Sequence, residues 1–269
     1  MAMTGQPMHA SGVMLTPSGD ERVHNALRAG LTRLFADEVE EHYTAPPVIA
    51  RSVSERAGYP SSFPQLFGAV YGAPDGGDPS PTDLALTSAA CHHVFPLIAR
   101  DGGDQGRCLG VEATCYRGEA TAETGRLRCF RMYEVVRYGA PHEVEKWRDH
   151  ALRAADTWLG DLGLDTGITA ANDPFFGRIG SYLASAQRAG QLKWEVVTHV
   201  AGDTVQAVAS ANYHRDHFGE AFELRLSDGS VGHSACAAFG LDRILLALRH
   251  RHGADDDRWP EPVRALLGF

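Results

Sequence analysis

The sequence carries little basic charge for its length. Of its 269 residues only 25 are lysine or arginine, almost all of them arginine, against 34 aspartates and glutamates, so the formal net charge is −9. A protein that holds tRNA through many phosphates usually presents a basic face, because such binding depends on lysine and arginine neutralising phosphate. The composition therefore argues against a large nucleic-acid footprint.

The sequence also lacks a long apolar run, a secretory signal and a disulfide pattern. No stretch approaches the roughly 20 apolar residues that a bilayer-spanning helix needs. Residues 1–17 are small and polar, without the basic start or apolar centre of a signal peptide. Five cysteines without such a signal are not typical of a disulfide framework. We therefore expect a cytoplasmic enzyme with no membrane partner.

Hydrophobic residues make up 43% of the sequence and charged residues 22%, as in an ordinary globular protein. We expect residues 1–15 to form a disordered leader and residues 16–269 to form a single domain. Residues 45–66, rich in proline and serine, are expected to be irregular around a short helix, and residues 75–81 to form a loop.

The periodicity of apolar residues predicts the remaining elements. Helices are predicted over 18–40, 142–159, 179–189 and 239–249. Strands are predicted over 111–116, 129–138, 193–200, 204–213 and 221–226. Ser18 and Glu21 have the spacing of a capping box at the start of the first helix. This order of elements predicts an α+β fold, in which helices flank an antiparallel sheet.

Arg117 and Glu119 are two residues apart, so on a strand their side chains would project to the same face. A guanidinium suits an α-phosphate because it offers planar, bidentate donors and keeps its charge. A nearby carboxylate can accept a hydrogen bond from the adenine amino group. Taken alone, however, such a pair is more often an exposed ion pair on a strand.

Cysteines and histidines offer two alternative metal sites. Thiolates are natural zinc ligands, and a catalytic zinc keeps three protein ligands with one position open. None of the cysteines has the spacing of a zinc finger, and a lone buried cysteine is usually a small hydrophobic residue. A rival set of metal ligands consists of His92, His93, His214 and His217. The alternative for these histidines is ordinary polar packing.

Three segments together resemble the catalytic core of class II aminoacyl-tRNA synthetases. Residues 115–119 with 126–134 resemble motif 2, and Phe239–Arg243 resembles motif 3, with Asp242 where the family usually has glutamate. Cys91, Glu134 and Cys236 occupy, in order, the places of the zinc ligands of the atypical seryl-tRNA synthetases. The same ligands occur in their tRNA-independent relatives, the amino acid:[carrier protein] ligases, which segments 171–177, 192–195 and 211–219 also resemble.

The resemblance implies a class II synthetase-like antiparallel sheet and a role for each site residue. Arg117 and Arg243 would be catalytic, contacting the α- and γ-phosphates of ATP, and Glu119 would contact the adenine. The further ATP and Mg²⁺ contacts would come from Arg126, Leu127, Arg128, Lys193, Ser210 and Asn212. Zn²⁺ would be held by Cys91, Glu134 and Cys236 and would bind the α-amino group of the substrate. Lys193 and Glu195 alternate on one predicted strand and could both face the pocket.

The implied reaction is ATP-dependent activation of a small amino acid, glycine or alanine, as its adenylate. The acceptor would be the phosphopantetheine thiol of a small carrier protein, because only about 15 residues precede the core, where seryl-tRNA synthetases have a tRNA-binding domain. We expect the carrier to dock on the helix over 142–159 through Lys146, Arg148 and Arg153.

A homodimer is expected, paired through motif 1 near residues 45–47. Two alternative functions remain open. One is a minimal aminoacyl-tRNA synthetase-like enzyme, although so acidic a chain argues against tRNA as a partner. The other is a catalytically silent regulatory paralogue.

Overall fold

The computed structural model describes residues 11–73, 76–119, 123–176, 181, 184–185 and 187–269. Most of the leader predicted over 1–15 and part of the helix predicted over 179–189 lie outside these residues. The helices with described bounds are α1 (Ser18–Leu34), α2 (Arg51–Arg56), α3 (Tyr59–Ser62), α4 (Val94–Asp101), α5 (Pro141–Asp161), α6 (His217–Ala221), α7 (Leu241–His252) and α8 (Glu261–Leu267). Each helix in the described part of the chain is too short or too polar to cross a bilayer.

The strands form a large and a small sheet. They are β1 (Glu41–Ala45), β2 (Val48–Ala50), β3 (Ala69–Gly72), β4 (Ser80–Leu86), β5 (Arg107–Tyr116), β6 (Cys129–Gly139), β7 (Gly167–Ala170), β8 (Lys193–Ala201), β9 (Thr204–Arg215) and β10 (His233–Gly240). The seven-stranded sheet has the order β1-β5-β6-β10-β9-β8-β7, and the small antiparallel sheet has the order β2-β4-β3. In the large sheet β1 pairs parallel with β5 and the other pairs are antiparallel. The predicted α+β fold on an antiparallel sheet is confirmed.

Helices α5 and α7 cover one face of the large sheet. Helix α5 begins with Pro141 in its first turn, where a missing N–H is tolerated. Val144, Ala151 and Trp158 lie along its buried stripe. Helix α7 ends at His252 and is followed by the C-cap Gly253, whose φ of 96° favours glycine. The helix predicted over 142–159 is confirmed, and the one predicted over 239–249 begins two residues later.

Alternate side chains of the central strands β6 and β10 point to opposite faces of the sheet and enter two separate cores. Val135 and Phe239 lie in the core beneath α5 and α7. Val136 and Cys236, which are paired across the two strands, lie in the second core on the opposite face. Because side chains alternate along a strand, Glu134 faces the same side as Val136 and Cys236. The pleat therefore places two of the three predicted zinc ligands on one face.

Several predicted elements have the wrong bounds or the wrong type of secondary structure. Helix α1 ends at Leu34 rather than near residue 40. Ser18 is its first helical residue and Pro17 is the N-cap, with no side-chain hydrogen bond, so the capping box does not form. Residues 217–221 are helical, and no strand spans 221–226 in this described stretch.

Strand β10 was not predicted, because it lacks the usual strand signature. Its small residues, from Ser234 to Ala238, are all buried on both faces and so show no alternation of polar and apolar side chains. Strands β1 to β4 were also not predicted, and β2 lies within the segment 45–66 that was expected to be irregular. These strands are short, and two of the four are only three or four residues long.

Candidate active site

A cavity of about 490 Å³ is lined by residues of the central strands. It lies between the segment that connects β5 to β6, the strands β8 to β10 and the first turn of α7. The predicted site residues that line it are Cys91, Arg117, Glu119, Arg126, Leu127, Glu134, Lys193, Ser210, Asn212, Cys236 and Arg243. These residues come from distant parts of the chain, so their convergence is a property of the fold.

Cys91, Glu134 and Cys236 form a compact, buried group at the base of this cavity. One ligand atom from each lies within 4.8 Å of the other two. Glu134 and Cys236 project from β6 and β10, and Cys91 lies in a 3-10 turn, Ala90–His93, that packs against the same face. The four histidines of the rival set do not form such a group within the described residues.

The acid–base properties of this group depend on burial and on contacts between its members. Burial and the nearby Cys236 thiolate raise the pKa of Glu134 to about 7. A hydrogen bond from Cys91 holds the pKa of Cys236 well below its usual value and, reciprocally, raises the pKa of Cys91. The backbone N–H of Ala90 donates to Oε1 of Glu134 at 2.8 Å. The carboxylate is therefore held in place by the turn that carries Cys91.

The donor set fits zinc. Two thiols and one carboxylate are ligand types that zinc takes, and three protein ligands leave one position for a substrate. Asn212 lies directly beside the group, with Nδ2 3.3 Å from Sγ of Cys236. Its Oδ1 is buried without a hydrogen-bond partner among the described residues. The site therefore has a spare acceptor for a ligand in the cavity.

Arg117 and Glu119 both line the cavity, and both lie beyond the strand predicted over 111–116. Strand β5 ends at Tyr116, and the two residues belong to the connection that follows it. Nε of Arg117 is 3.4 Å from the carbonyl oxygen of Ser88, and its guanidinium stacks 5.2 Å from the ring centroid of Phe130. Glu119 is at the exposed rim, 3.9 Å from Arg126. The guanidinium of Arg117 is therefore fixed, whereas Glu119 is open to solvent.

Arg243 lies in the first turn of α7 and is held by two backbone carbonyls. Nε donates to Gly125 and Nη1 to Ala207, each at 3.0 Å. Burial, together with the charges of Arg126 and Arg117, lowers the pKa of Arg243 to about 10. Arg117, Arg126 and Arg243 thus bring guanidinium donors to one cavity, and such donors suit an anionic ligand such as a polyphosphate.

The opposite wall carries a charged network centred on Lys193. Its Nζ is 2.5 Å from Oδ1 of Asp173 and 3.4 Å from Oε1 of Glu195, and all three residues line the cavity. Gln187 donates from Nε2 to Oδ2 of Asp173 at 2.8 Å. Although burial opposes it, the two carboxylates raise the pKa of Lys193. Lys193 and Glu195 face the pocket together, as predicted.

The sequence did not predict Asp173 as a site residue, and it predicted His214 only as a member of the rival metal set. Asp173 stands in the segment 171–177, which carries family resemblance, but a single aspartate before a proline gives no signal for a pocket. Its role depends on Lys193, which is 20 residues away. His214 is on β9 with Nε2 3.5 Å from Sγ of Cys236. Only the pairing of β9 with β10 brings these two residues together.

Two arginines given roles from the sequence do not lie where those roles require. Arg128 is not among the described residues that line the cavity, and its backbone N–H donates to the carbonyl oxygen of Gly12 at 2.8 Å. Arg148 is buried, with Nε bonded to Asp149 and Nη1 to the carbonyl oxygen of Gln191, each at 2.7 Å. The prediction that Arg148 forms part of an exposed docking patch is therefore wrong.

Solved structures with the same fold include seryl-tRNA synthetases. The enzyme of Methanopyrus kandleri, solved in complex with tRNASec of A. aeolicus, superposes with a TM-score of 0.80 at 19% identity, over 98% of this chain and 58% of its own. The enzyme of Pyrococcus horikoshii, solved with ATP, superposes with a TM-score of 0.73 at 19% identity, over 97% and 58%. These likenesses confirm the predicted class II synthetase-like fold.

Sequence comparison gives nearer relatives, although no model of a known protein family matches the chain. The type-2 serine–tRNA ligase of M. kandleri is 28% identical over 192 residues, which is 66% of this chain and 36% of the relative. Amino acid–[acyl-carrier-protein] ligase 1 of Bradyrhizobium diazoefficiens is 38% identical over 245 residues, covering 83% of this chain and 75% of its own. Ligase 2 of the same organism is 39% identical over 275 residues, covering 89% and 82%. With this identity over most of both chains, the protein belongs to the family of amino acid–[acyl-carrier-protein] ligases.

Proposed function

We propose that the protein activates a small amino acid, glycine or alanine, with ATP and transfers it to the phosphopantetheine thiol of a carrier protein. The observation that carries this proposal is the convergence of two kinds of group on one cavity. Arg117 and Arg243 offer cationic donors, and the Cys91–Glu134–Cys236 group offers a metal site. Residues 16–269 would act as one catalytic domain.

In the first step a carboxylate oxygen of the amino acid attacks the α-phosphorus of ATP, and the bond to pyrophosphate breaks. Arg117, fixed by Ser88 and Phe130, would hold the α-phosphate, and Arg243 would hold the γ-phosphate. Both arginines are positioned before the substrate binds, so stabilising the developing charge requires little rearrangement. Glu119 and the loop residues Arg126 and Leu127 would contact the nucleoside.

The proposed cofactors fit particular side chains. Mg²⁺ would find oxygen ligands, which it prefers, in Glu195 and Ser210, which are paired across β8 and β9. The sequence assigned Asn212 to the contacts with ATP and Mg²⁺, but its side chain lies beside the thiol of Cys236. Zn²⁺ on Cys91, Glu134 and Cys236 would supply a Lewis-acidic position for the neutral α-amino group.

Aromatic rings crowd the space beside the thiols and support a small substrate. His92 follows Cys91 directly and is buried. Its ring centroid is 5.6 Å from that of Tyr59 and 5.9 Å from that of Phe218. All three residues line the cavity. A substrate held by its amine at the three-ligand group would have little room there for a large side chain.

In the second step the carrier thiol attacks the carbonyl carbon of the adenylate, a thioester forms and AMP leaves. We infer a cytoplasmic location, because the described cysteines are free and the site needs reduced thiols. A homodimer formed through residues 45–47 belongs to the same proposal. On the proposed docking helix α5, Lys146 and Arg153 are exposed and could still contact an acidic carrier.

The test is amino-acid-dependent exchange between pyrophosphate and ATP, screened over the twenty amino acids with and without a zinc chelator. Exchange with glycine or alanine that is lost on chelation supports the proposal. A folded, zinc-loaded protein that gives no exchange would favour the silent regulatory paralogue. Transfer to tRNA but not to a phosphopantetheinylated carrier would favour a minimal tRNA synthetase.

A further inference from the structure

Two side chains of β9 approach the sulfur of Cys236. Nδ2 of Asn212 is 3.3 Å from Sγ, and Nε2 of His214 is 3.5 Å from it. Both distances suit a nitrogen that donates a hydrogen bond to sulfur. Neither residue belongs to the three-ligand group itself.

The sheet pairing explains why these residues meet. Cys236 on β10 lies directly opposite Asn212 on β9. Alternation along β9 places His214 on the same face as Asn212, and alternation along β10 places Ser234 on the same face as Cys236. The register shifts by one residue between Ser234 and Ala235. Four side chains therefore converge on one small area of the sheet.

Ser234 contacts the ring nitrogen of His214 that faces away from Cys236. Oγ of Ser234 lies 3.0 Å from Nδ1 of His214, and Ser234 is fully buried. If the hydroxyl donates to Nδ1, the neutral ring carries its proton on Nε2, the atom that faces Cys236. The ring is also held edge-on against Phe218, with 4.8 Å between the centroids. The orientation of His214 is thus fixed from two sides.

We infer that Ser234 and His214 form a relay that hydrogen-bonds the Cys236 thiolate and positions it as a metal ligand, with Asn212 as a second donor. Groups that orient a metal ligand from outside the coordination sphere contribute strongly to metal affinity. An N–H donor also withdraws charge from the thiolate, which makes the bound metal a stronger Lewis acid toward the substrate amine. This inference rests on the zinc site of the proposed function.

The test measures metal binding by the full-length protein rather than its activity. Zinc affinity is determined by competition with a chromogenic chelator, and the cobalt(II)-loaded protein is examined by visible and near-ultraviolet absorption. The variants are His214→Phe, which removes the donor, His214→Gln, which keeps an N–H near the Nε2 position, and Ser234→Ala, which removes the orienting hydroxyl. The control is His217→Phe, since Nε2 of His217 bonds the carbonyl oxygen of Ala57 at 3.1 Å and not a thiol.

We expect His214→Phe to weaken zinc binding about 10–100-fold. Ser234→Ala should weaken it less, His214→Gln should restore part of the loss, and His217→Phe should leave it unchanged. The thiolate-to-cobalt band should move to longer wavelength in His214→Phe, because a thiolate without its hydrogen bond is a better electron donor. A change in folding alone would not move this band.

Three results would overturn the inference. Unchanged affinity and spectrum in both His214→Phe and Ser234→Ala would show that the relay does not act on the metal. Loss of a nitrogen ligand from the cobalt spectrum of His214→Phe would show that His214 binds the metal directly. Failure of the unmodified protein to bind zinc would overturn the proposed site itself, and the wild-type titration separates that failure from the other two.

Discussion

Nε of Arg243 donates a hydrogen bond to the carbonyl oxygen of Gly125 at 3.0 Å. This contact joins the first turn of α7 to the loop that connects β5 with β6. Gly125 has a φ of 85°, and an added Cβ would lie 2.4 Å from Oε1 of Gln206. Gln206 in turn donates to the carbonyl oxygen of Thr124 at 2.8 Å. The position of Arg243 therefore depends on a backbone conformation that favours glycine.

We expect Gly125→Ala to reduce pyrophosphate exchange strongly, because both the left-handed backbone and the contact with Gln206 oppose a side chain. The matched control is Gly202→Ala, where φ is 48° and no heavy atom lies within 4 Å of the added Cβ. Each variant should lose about 1–2 kcal/mol of unfolding free energy through backbone strain. Activity should fall only in Gly125→Ala, and equal activity losses in the two variants would contradict this account.

Arg117→Ala and Arg243→Ala should each lower the rate of adenylate formation about 10²–10³-fold, the usual cost of removing one positioned donor from a transition state. The control is Arg251→Ala, also on α7, whose Nε bonds the carbonyl oxygen of Gly163 on the surface. The measurement is the rate of exchange at saturating ATP, with circular dichroism as a check of folding. Full activity in Arg117→Ala would mean that the motif 2 assignment is wrong.

Replacing Cys91 or Cys236 by serine, or Glu134 by glutamine, should abolish both bound zinc and exchange, because three ligands are the fewest that a catalytic zinc site uses. Metal analysis of the purified variants measures the first and exchange assays the second. Cys129→Ser serves as the control, since this partly exposed thiol is outside the three-ligand group. Loss of zinc from Cys129→Ser, or its retention in Cys236→Ser, would count against the site.

Lys193→Met should destabilise the fold by about 1–3 kcal/mol, because it leaves the carboxylate of Asp173 without its cation. The loss stays below that of a fully buried pair, since the side chain of Asp173 is 32% exposed. Asp173→Asn combined with Lys193→Met should cost less than the sum of the two single changes, because the variants share one interaction. Urea unfolding of the three variants measures the coupling, and strict additivity would show that the contact contributes nothing.

Burial lowers the pKa of His42, whose Nδ1 lies 3.0 Å from the hydroxyl of Tyr133. The folded state therefore binds fewer protons than the unfolded state below a pH of about 6.5, the ordinary value for histidine. Folding stability should fall as the pH drops through this value. In His42→Phe this part of the pH dependence should be missing. Urea unfolding at pH 8 and pH 5 compares the two proteins, and an identical pH dependence would rule out the contribution of His42.

The strongly periodic elements could be predicted from the sequence. Helix α5 and the hairpin of β5 and β6 were located within a few residues, because helical spacing and β-branched runs depend on local residues alone. Strand β10 was not found, since its small buried residues acquire their strand conformation from pairing with β6 and β9. The strand predicted over 111–116 ends at Tyr116, as observed, so Arg117 and Glu119 lie beyond it and the same-face argument does not apply to them. The end of β5 is fixed by where its pairing with β6 stops, at Tyr116 and Cys129.

The sequence by itself determined the fold class, because the segments that resemble motifs 2 and 3 and the order of Cys91, Glu134 and Cys236 are local or ordinal properties of the chain. Tertiary structure alone decided which side chains touch. It brought Asp173 to Lys193, Gly125 to Arg243, and His214 with Ser234 to Cys236. Contacts of this kind depend on strand register and on the pleat. A shift of one residue in the register would turn each side chain of a strand to the opposite face of the sheet.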